Sequence, residues 1–222
     1  MRLKGYLTEG KDVTGMLIRD CKPFIKATST FFTRSYTNDS DPLKLGALDI
    51  VKVKPRTNRI PKDTPLYLHK ILDNWFKQKF GWKARSEGVF TTPGNSDFYG
   101  EAVNLFFPIG PFKFITSTSV RDLYNTLDNI LTRMDSEEKN RITKRSSWSD
   151  LKDLTKKDHY PLLDKLFRDF ITKYGKSYIG KDLKGSSMKW EDSESEFVFK
   201  CKEYYLIGEN VVPSIDYLKG EI

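Results

Sequence analysis

Apolar residues recur every three or four positions in four stretches of the chain, the spacing that lines one face of an α-helix. Met16, Leu17, Cys21 and Phe24 define the first, over 13–25, with Pro23 near its end because proline breaks an interior turn. Leu68, Ile71, Leu72, Trp75 and Phe76 define the second. Asp63 or Thr64 is its expected N-cap, Pro65 stands just inside, and Gly81 stops it. The third carries Val120, Leu123, Tyr124, Leu127, Ile130 and Leu131 behind a capping-box pattern running from Ser119 to Asp122. The fourth, over 161–174, uses Leu163, Leu166, Phe167, Phe170 and Ile171, with Gly175 as its stop.

Shorter apolar or alternating runs predict strands over 31–34, 48–54, 102–107, 113–116 and 197–207, and a strand edge over 88–92. Pro108 is expected to close the 102–107 strand. Pro93, Gly94 and Asn95 read as a turn, 37–42 and 176–195 as loops, and the charged stretch 135–157 as exposed. Helices and scattered strands do not alternate as they do in a parallel doubly wound sheet. The pattern therefore predicts an α+β fold.

A chain of 222 residues suits one domain, here 1–222 with a helical, charged insertion at about 119–176. Thirty-eight basic against 30 acidic residues give a net charge of +8, which favours anionic partners such as nucleic acid, a nucleotide or an acidic protein surface. The two cysteines, Cys21 and Cys201, are too few for a disulfide scaffold. With His69 and His159 as the only histidines, no metal site is expected. Neither a signal-peptide pattern nor a long apolar run is present, so the expectation is a cytoplasmic monomer with no membrane partner.

Three stretches carry candidate chemistry. Glu194 and Glu196 flank Ser195 at the start of a strand, where residues two apart project to the same face. Such a carboxylate pair can stabilise a developing cation with one member and activate a nucleophile with the other, and the same spacing also describes a solvated acidic turn. Arg34 ends an apolar strand and can fork onto a phosphate, or stand exposed. Thr91 and Thr92, followed by Phe98, Tyr99 and Gly100, place hydroxyls where a carboxylate or a ribose could be held. Arg56, Arg59 and Arg85 are secondary candidates for a phosphate clamp. His69 reads as a helix-surface or satisfied histidine, and His159 as part of a helix start.

In order along the chain these pieces resemble the R-S-E class of ADP-ribosyltransferases. Phe32, Thr33, Arg34 and Ser35 resemble the arginine at the end of the family's first core strand. Phe90, Thr91 and Thr92, then Tyr99 and Gly100, resemble its hydroxyl-rich strand and the aromatic-glycine pair after it. Glu194, Ser195 and Glu196, leading into Phe197, Val198 and Phe199, resemble its Glu-x-Glu strand entry. The block from Arg56 to Gly110 also resembles uncharacterised tailed-phage proteins. Ser35 replaces the usual glycine, and Thr91-Thr92 replaces Ser-Thr-Ser. Ser117-Thr118-Ser119 is a literal match that reads instead as a helix cap.

The resemblance implies a split, mixed β-sheet core with N-terminal and peripheral helices, and NAD as substrate without a metal. It implies that Arg34 holds phosphate or ribose, with Arg56 or Arg59 as alternative family arginines, and that Phe90, Thr91, Thr92 and Tyr99 line the NAD site. Thr91 would brace the catalytic glutamate, Glu196 would stabilise the oxocarbenium-like state, and Glu194 would activate the acceptor. Trp190 would lie on the target-facing loop. The acceptor would be a host protein or RNA, with protein arginine favoured by Glu194. The alternative is a non-enzymatic phage protein, structural or nucleic-acid-binding, on the same fold.

Overall fold

The computed structural model describes residues 13–35, 50–60, 63–94, 103–135, 137, 151–182, 195–208 and 212–222. They form six strands and six helices, and the chain divides into two compact units. The first comprises 1–55, 88–116 and 180–222; the second comprises 56–87 and 117–179. The charged insertion expected at about 119–176 falls within the second unit, which also takes in 56–87.

In the first unit, helix α1 (Val13–Ala27) is amphipathic as its spacing predicts, with Met16, Leu17, Cys21, Phe24 and Ile25 buried. Pro23 stands inside it, one turn from the end. The strands are β1 (Phe32–Ser35), β2 (Ile50–Val53), β3 (Val89–Pro93), β4 (Val103–Ser117), β5 (Tyr178–Asp182) and β6 (Phe197–Gly208). Their order is β2-β6-β3-β1-β4-β5, and β4 also pairs with β6. The β1, β3, β6 and β4 pairings thus close into a ring, with β2 beside the later half of β6. The pairings of β1 with β3 and β4, and of β6 with β2, β3 and β4, are all antiparallel.

Phenylalanines fill this unit. Phe24 from α1 meets Phe32, Phe106, Phe107, Phe112 and Phe199 at centroid distances of 5.6–6.4 Å, in edge-on geometries that aromatic quadrupoles favour. The Tyr205 hydroxyl donates to Asp20 across 2.8 Å and ties α1 to β6. The Asp20 carboxyl is held below its usual range by the hydrogen bond from Arg19, and Tyr205 is pushed up, chiefly by burial. A short helix, α6 (Ile215–Gly220), follows β6 and is capped by the Ser214 hydroxyl accepting from the Tyr217 N–H.

Two sequence expectations about this unit are corrected. Pro108 does not close a strand: β4 runs through it, with Pro108 opposite Tyr204, so the 102–107 and 113–116 segments are one strand. A bulge between Ile109 and Phe112, with Gly110 at φ 67°, absorbs the irregularity. Second, 88–92 is not an edge: β3 lies between β1 and β6. Its buried threonines are tolerated there because each hydroxyl finds an acceptor. The turn after it is as read, at least at Gly94, which has φ 72° and donates its N–H to the Phe31 carbonyl.

The second unit is helical: α2 (Leu66–Phe80), α3 (Ala84–Glu87), α4 (Leu123–Arg133) and α5 (Tyr160–Tyr174). Gly81 ends α2 in the left-handed conformation at φ 82°, as expected. The start of α2 differs from expectation. Pro65 occupies the cap position, no side chain caps the helix, and the Thr64 hydroxyl instead accepts from Arg85 at 3.3 Å. The start of α4 also differs: Asp122, not Ser119, is its N-cap, accepting from the Asn125 N–H at 2.7 Å. Gly175 ends α5 as expected, though at φ −57° rather than in a left-handed cap, and leads into a 3-10 turn, Gly175–Ser177. An added Cβ there would meet Ile171 Cγ2 at 3.1 Å, a tight contact that the Ile171 side chain would have to relieve.

The stretches 135–157 and 176–195 also hold more structure than expected. Leu151–Asp153 forms a 3-10 turn with Leu151 and Leu154 buried, and β5 begins at Tyr178. Lys79 bridges to the Gly175 and Tyr178 carbonyls, the latter at 3.0 Å.

Candidate functional site

Strand order in the first unit brings together residues far apart in sequence. Arg34 lies on β1, Phe90, Thr91 and Thr92 on β3, and Glu196 directly before β6. Because β3 sits between β1 and β6, all five fall on three neighbouring strands. The Arg34 Nη1 donates to the Phe90 carbonyl at 2.9 Å. Thr33 and Thr92 are register partners, and their hydroxyls lie 3.1 Å apart. Thr91 is opposite Phe197 and donates to its carbonyl at 3.4 Å, while Thr116 on β4 donates to the Glu196 carbonyl at 3.0 Å. Hydroxyls from β3 and β4 thus hold the Glu196 and Phe197 carbonyls, both on the C-terminal side of the Glu196 Cα, where the chain enters β6.

Sequence reasoning missed two neighbours of Arg34, Asn104 and Cys201, and one of Glu196, Thr116. Asn104 on β4 is the register partner of Arg34 and only 2% exposed. Cys201 on β6 lies within electrostatic reach. Burial pushes its thiol up to about 12, and the Arg34 charge opposes that shift. Thr116 completes the ring at the β6 end. Asn104 had a legible signal, as a carboxamide set inside an otherwise apolar run. A buried donor left without an acceptor costs about 1–3 kcal/mol, yet both the Arg34 Nε and the Asn104 Nδ2 are buried without one. Among the described residues no carboxylate pairs with Arg34.

The remaining sequence candidates are placed elsewhere. Arg56 and Arg59 are exposed in the second unit, where the Arg59 N–H donates to the Ser86 carbonyl at 3.2 Å. Glu194, Tyr99 and Trp190 lie outside the described residues. Ser117 organises a turn ahead of α4 rather than capping it, since the N-cap is Asp122. The Ser117 hydroxyl accepts from the Ser119 and Val120 N–H groups at 3.2 and 3.1 Å and meets Ser177 at 2.7 Å.

The second unit holds a separate buried polar cluster. His69 and Asp73, 4% and 3% exposed, stand one turn apart on α2. The Asp73 carboxylate accepts from the Arg85 N–H at 2.8 Å, the Ser86 N–H at 3.3 Å and the Ser86 hydroxyl. His69 Nε2 lies 3.0 Å from the Ser86 hydroxyl and 3.3 Å from the carboxylate. His69 is thus a satisfied core histidine at Nε2 rather than a helix-surface one. Burial lowers its pKa, against the opposing pull of Asp73. Histidine and aspartate converge on one hydroxyl, so they form no relay, and the cluster serves to hold α3 against α2.

Among the described residues no group of three or more His, Cys, Asp or Glu side chains could hold a metal, and no helix is long and apolar enough to cross a membrane. No family model matches the chain, and neither a curated protein nor a solved structure matches it.

Proposed function

We propose that the chain is a mono-ADP-ribosyltransferase that cleaves NAD and transfers ADP-ribose to a host macromolecule, with protein arginine as the acceptor. The observation that carries this reading is the juxtaposition of Arg34, Thr91 and Glu196 on three adjacent strands, across sequence separations that local pattern does not connect. A half-buried guanidinium with unused donor capacity suits the phosphates of a dinucleotide. A carboxylate at a strand entry whose own carbonyl is held by Thr116, and the next one by Thr91, suits a developing positive charge, since stabilisation by a fixed group costs no reorganisation during the reaction.

In this mechanism the glycosidic bond breaks first, and nicotinamide leaves with the bonding pair. Glu196 stabilises the cationic ribose, and Glu194 takes a proton from the attacking acceptor nitrogen as the new bond forms. Arg34 holds the phosphates, and Phe90, Thr91 and Thr92 form the wall of the site.

The test is nicotinamide release from NAD by the purified protein, with and without a cell lysate, beside Glu196→Gln. The substitution should cut release by about 100-fold or more, the scale of losing a group that acts on the transition state. It should leave the thermal midpoint unchanged. Equal release by both proteins removes Glu196 from the mechanism.

A second reading, a nucleic-acid-binding module, is favoured by one observation. Arg56, Arg59 and the 70%-exposed Ile60 share a solvent-facing stretch. Salt-dependent binding to single-stranded RNA without NAD turnover would select it.

A further inference from the structure

Buried polar atoms in a folded chain nearly always find partners, so those that do not call for an explanation. Two such atoms stand on opposed positions of one strand pair. Arg34 on β1 and Asn104 on β4 are register partners, a relation that puts their Cα atoms about 4.5–5.5 Å apart and their side chains on the same face. The Arg34 Nε and the Asn104 Nδ2 are each buried without a hydrogen-bond partner. Both are donors. The guanidinium beside them is charged, its Nη1 goes to a neutral carbonyl, and no described carboxylate neutralises it. Two open donors on register partners and a net positive charge call for an acceptor-only anion. Cys201, within electrostatic reach of Arg34, does not supply one: its thiol is kept protonated by burial at neutral pH.

We infer that Asn104 is a ligand-binding residue, its carboxamide N–H donating alongside the Arg34 Nε–H to one phosphate group. The identity of that group, a phosphate of the dinucleotide, rests on the transferase reading; the site itself rests on the two buried donors. Asn104 thus sets the depth at which the anion enters. A neutral amide and a guanidinium together can bind a phosphate that is shared between two esters, where a second cation would be surplus. Arg34 alone, fixed by the Phe90 carbonyl on one edge, would leave the orientation of the anion about its free edge undetermined.

The inference separates stability from binding in a way that a structural asparagine would not. Asn104→Leu removes the orphaned donor at nearly constant volume. It should leave the thermal midpoint unchanged or raise it, and should weaken ADP-ribose binding, measured by isothermal titration calorimetry, by about 10-fold or more. Asn104→Asp supplies the missing partner from within the chain. It should raise the thermal midpoint by pairing with Arg34 and abolish binding of both ADP-ribose and inorganic pyrophosphate.

A lower midpoint in Asn104→Leu with unchanged affinity would show the carboxamide oxygen turned to the guanidinium in a purely structural pair, and would overturn the inference. So would wild-type protein that binds neither probe. Nicotinamide release measured on the same preparations keeps the two proposals apart. Release with an unaltered KM in Asn104→Leu sinks the role of Asn104 and leaves the transferase standing. Binding of ADP-ribose that Asn104→Leu weakens, in a wild-type protein that releases no nicotinamide, does the reverse.

Discussion

Both units keep a buried polar atom without a partner, His69 Nδ1 in the helical one and the Arg34 Nε and Asn104 Nδ2 in the stranded one, but they answer their charged groups differently. In the helical unit, Asp73 gathers two backbone N–H groups and a hydroxyl, so its charge is answered from within the fold. In the stranded unit, Arg34 and Asn104 are buried with donor atoms unanswered. A buried polar group whose bonds close on neighbouring elements is there to hold those elements. One whose bonds stay open calls for an explanation, and the Arg34–Asn104 pair differs from the lone His69 Nδ1 in setting two open donors on register partners. The difference gives a criterion for telling a structural cluster from a binding site where residue types alone mislead. By composition, His69, Asp73 and Ser86 are the more enzyme-like set.

The comparison is broken most directly at Asp73. Asp73→Ala strands the Arg85 and Ser86 donors together and should cost about 3 kcal/mol of stability, read by chemical denaturation. Nicotinamide release per folded molecule should not change. If release falls with the folded fraction held constant, the cluster belongs to the chemistry and the criterion fails.

His69 gives a smaller, pH-dependent effect. Its pKa is lowered in the folded state by burial, so the unfolded chain binds the proton more readily. Stability is therefore complete above the ordinary histidine value of 6.5 and declines as pH falls below it, toward the folded-state pKa. His69→Gln should flatten that decline between pH 6.5 and 5 in thermal melts, whereas an unaltered slope would mean that other groups carry it.

The smallest expected effect tests an ordinary cap in the same unit. Asp122→Ala should cost about 1 kcal/mol through loss of the bond from the Asn125 N–H. A loss as large as that of Asp73→Ala would mean that the helical unit is not especially dependent on its buried cluster.

What the sequence disclosed follows the range over which each signal acts. The long helices were legible because a 3.6-residue stripe is a local pattern, and α1, α2, α4 and α5 all bury residues from it. Strand β4 was read as two because Pro108 and Gly110 look like punctuation, and only its partner β6 reveals that a bulge carries the strand past them. The four-residue α3 and the strand β5 offered no periodicity long enough to read. Arg34, Thr91 and Glu196 could be nominated by residue type and order, but their adjacency depends on the strand order β6-β3-β1, which no spacing encodes. Asn104 was passed over because an apolar run draws attention to its core, not to the one residue that interrupts it. Cys201 beside Arg34 likewise emerges only when β6 is laid across the sheet.

The ring formed by β1, β3, β6 and β4 has a consequence for how the protein comes into being. Strand β6 touches three of the other strands, yet it is synthesised after all of them. Until it arrives, β2, β3 and β4 wait with backbone groups unpaired, and their phenylalanine and valine side chains await the face that will cover them. The segments that build the helical unit, 56–87 and 117–179, are all synthesised before that point, so this unit can form while the sheet is still open. Closing the ring is then a late, long-range event with a large loop-closure cost, and the rate at which the nascent sheet finds its final strand sets how long the chain is vulnerable to capture by another copy of itself.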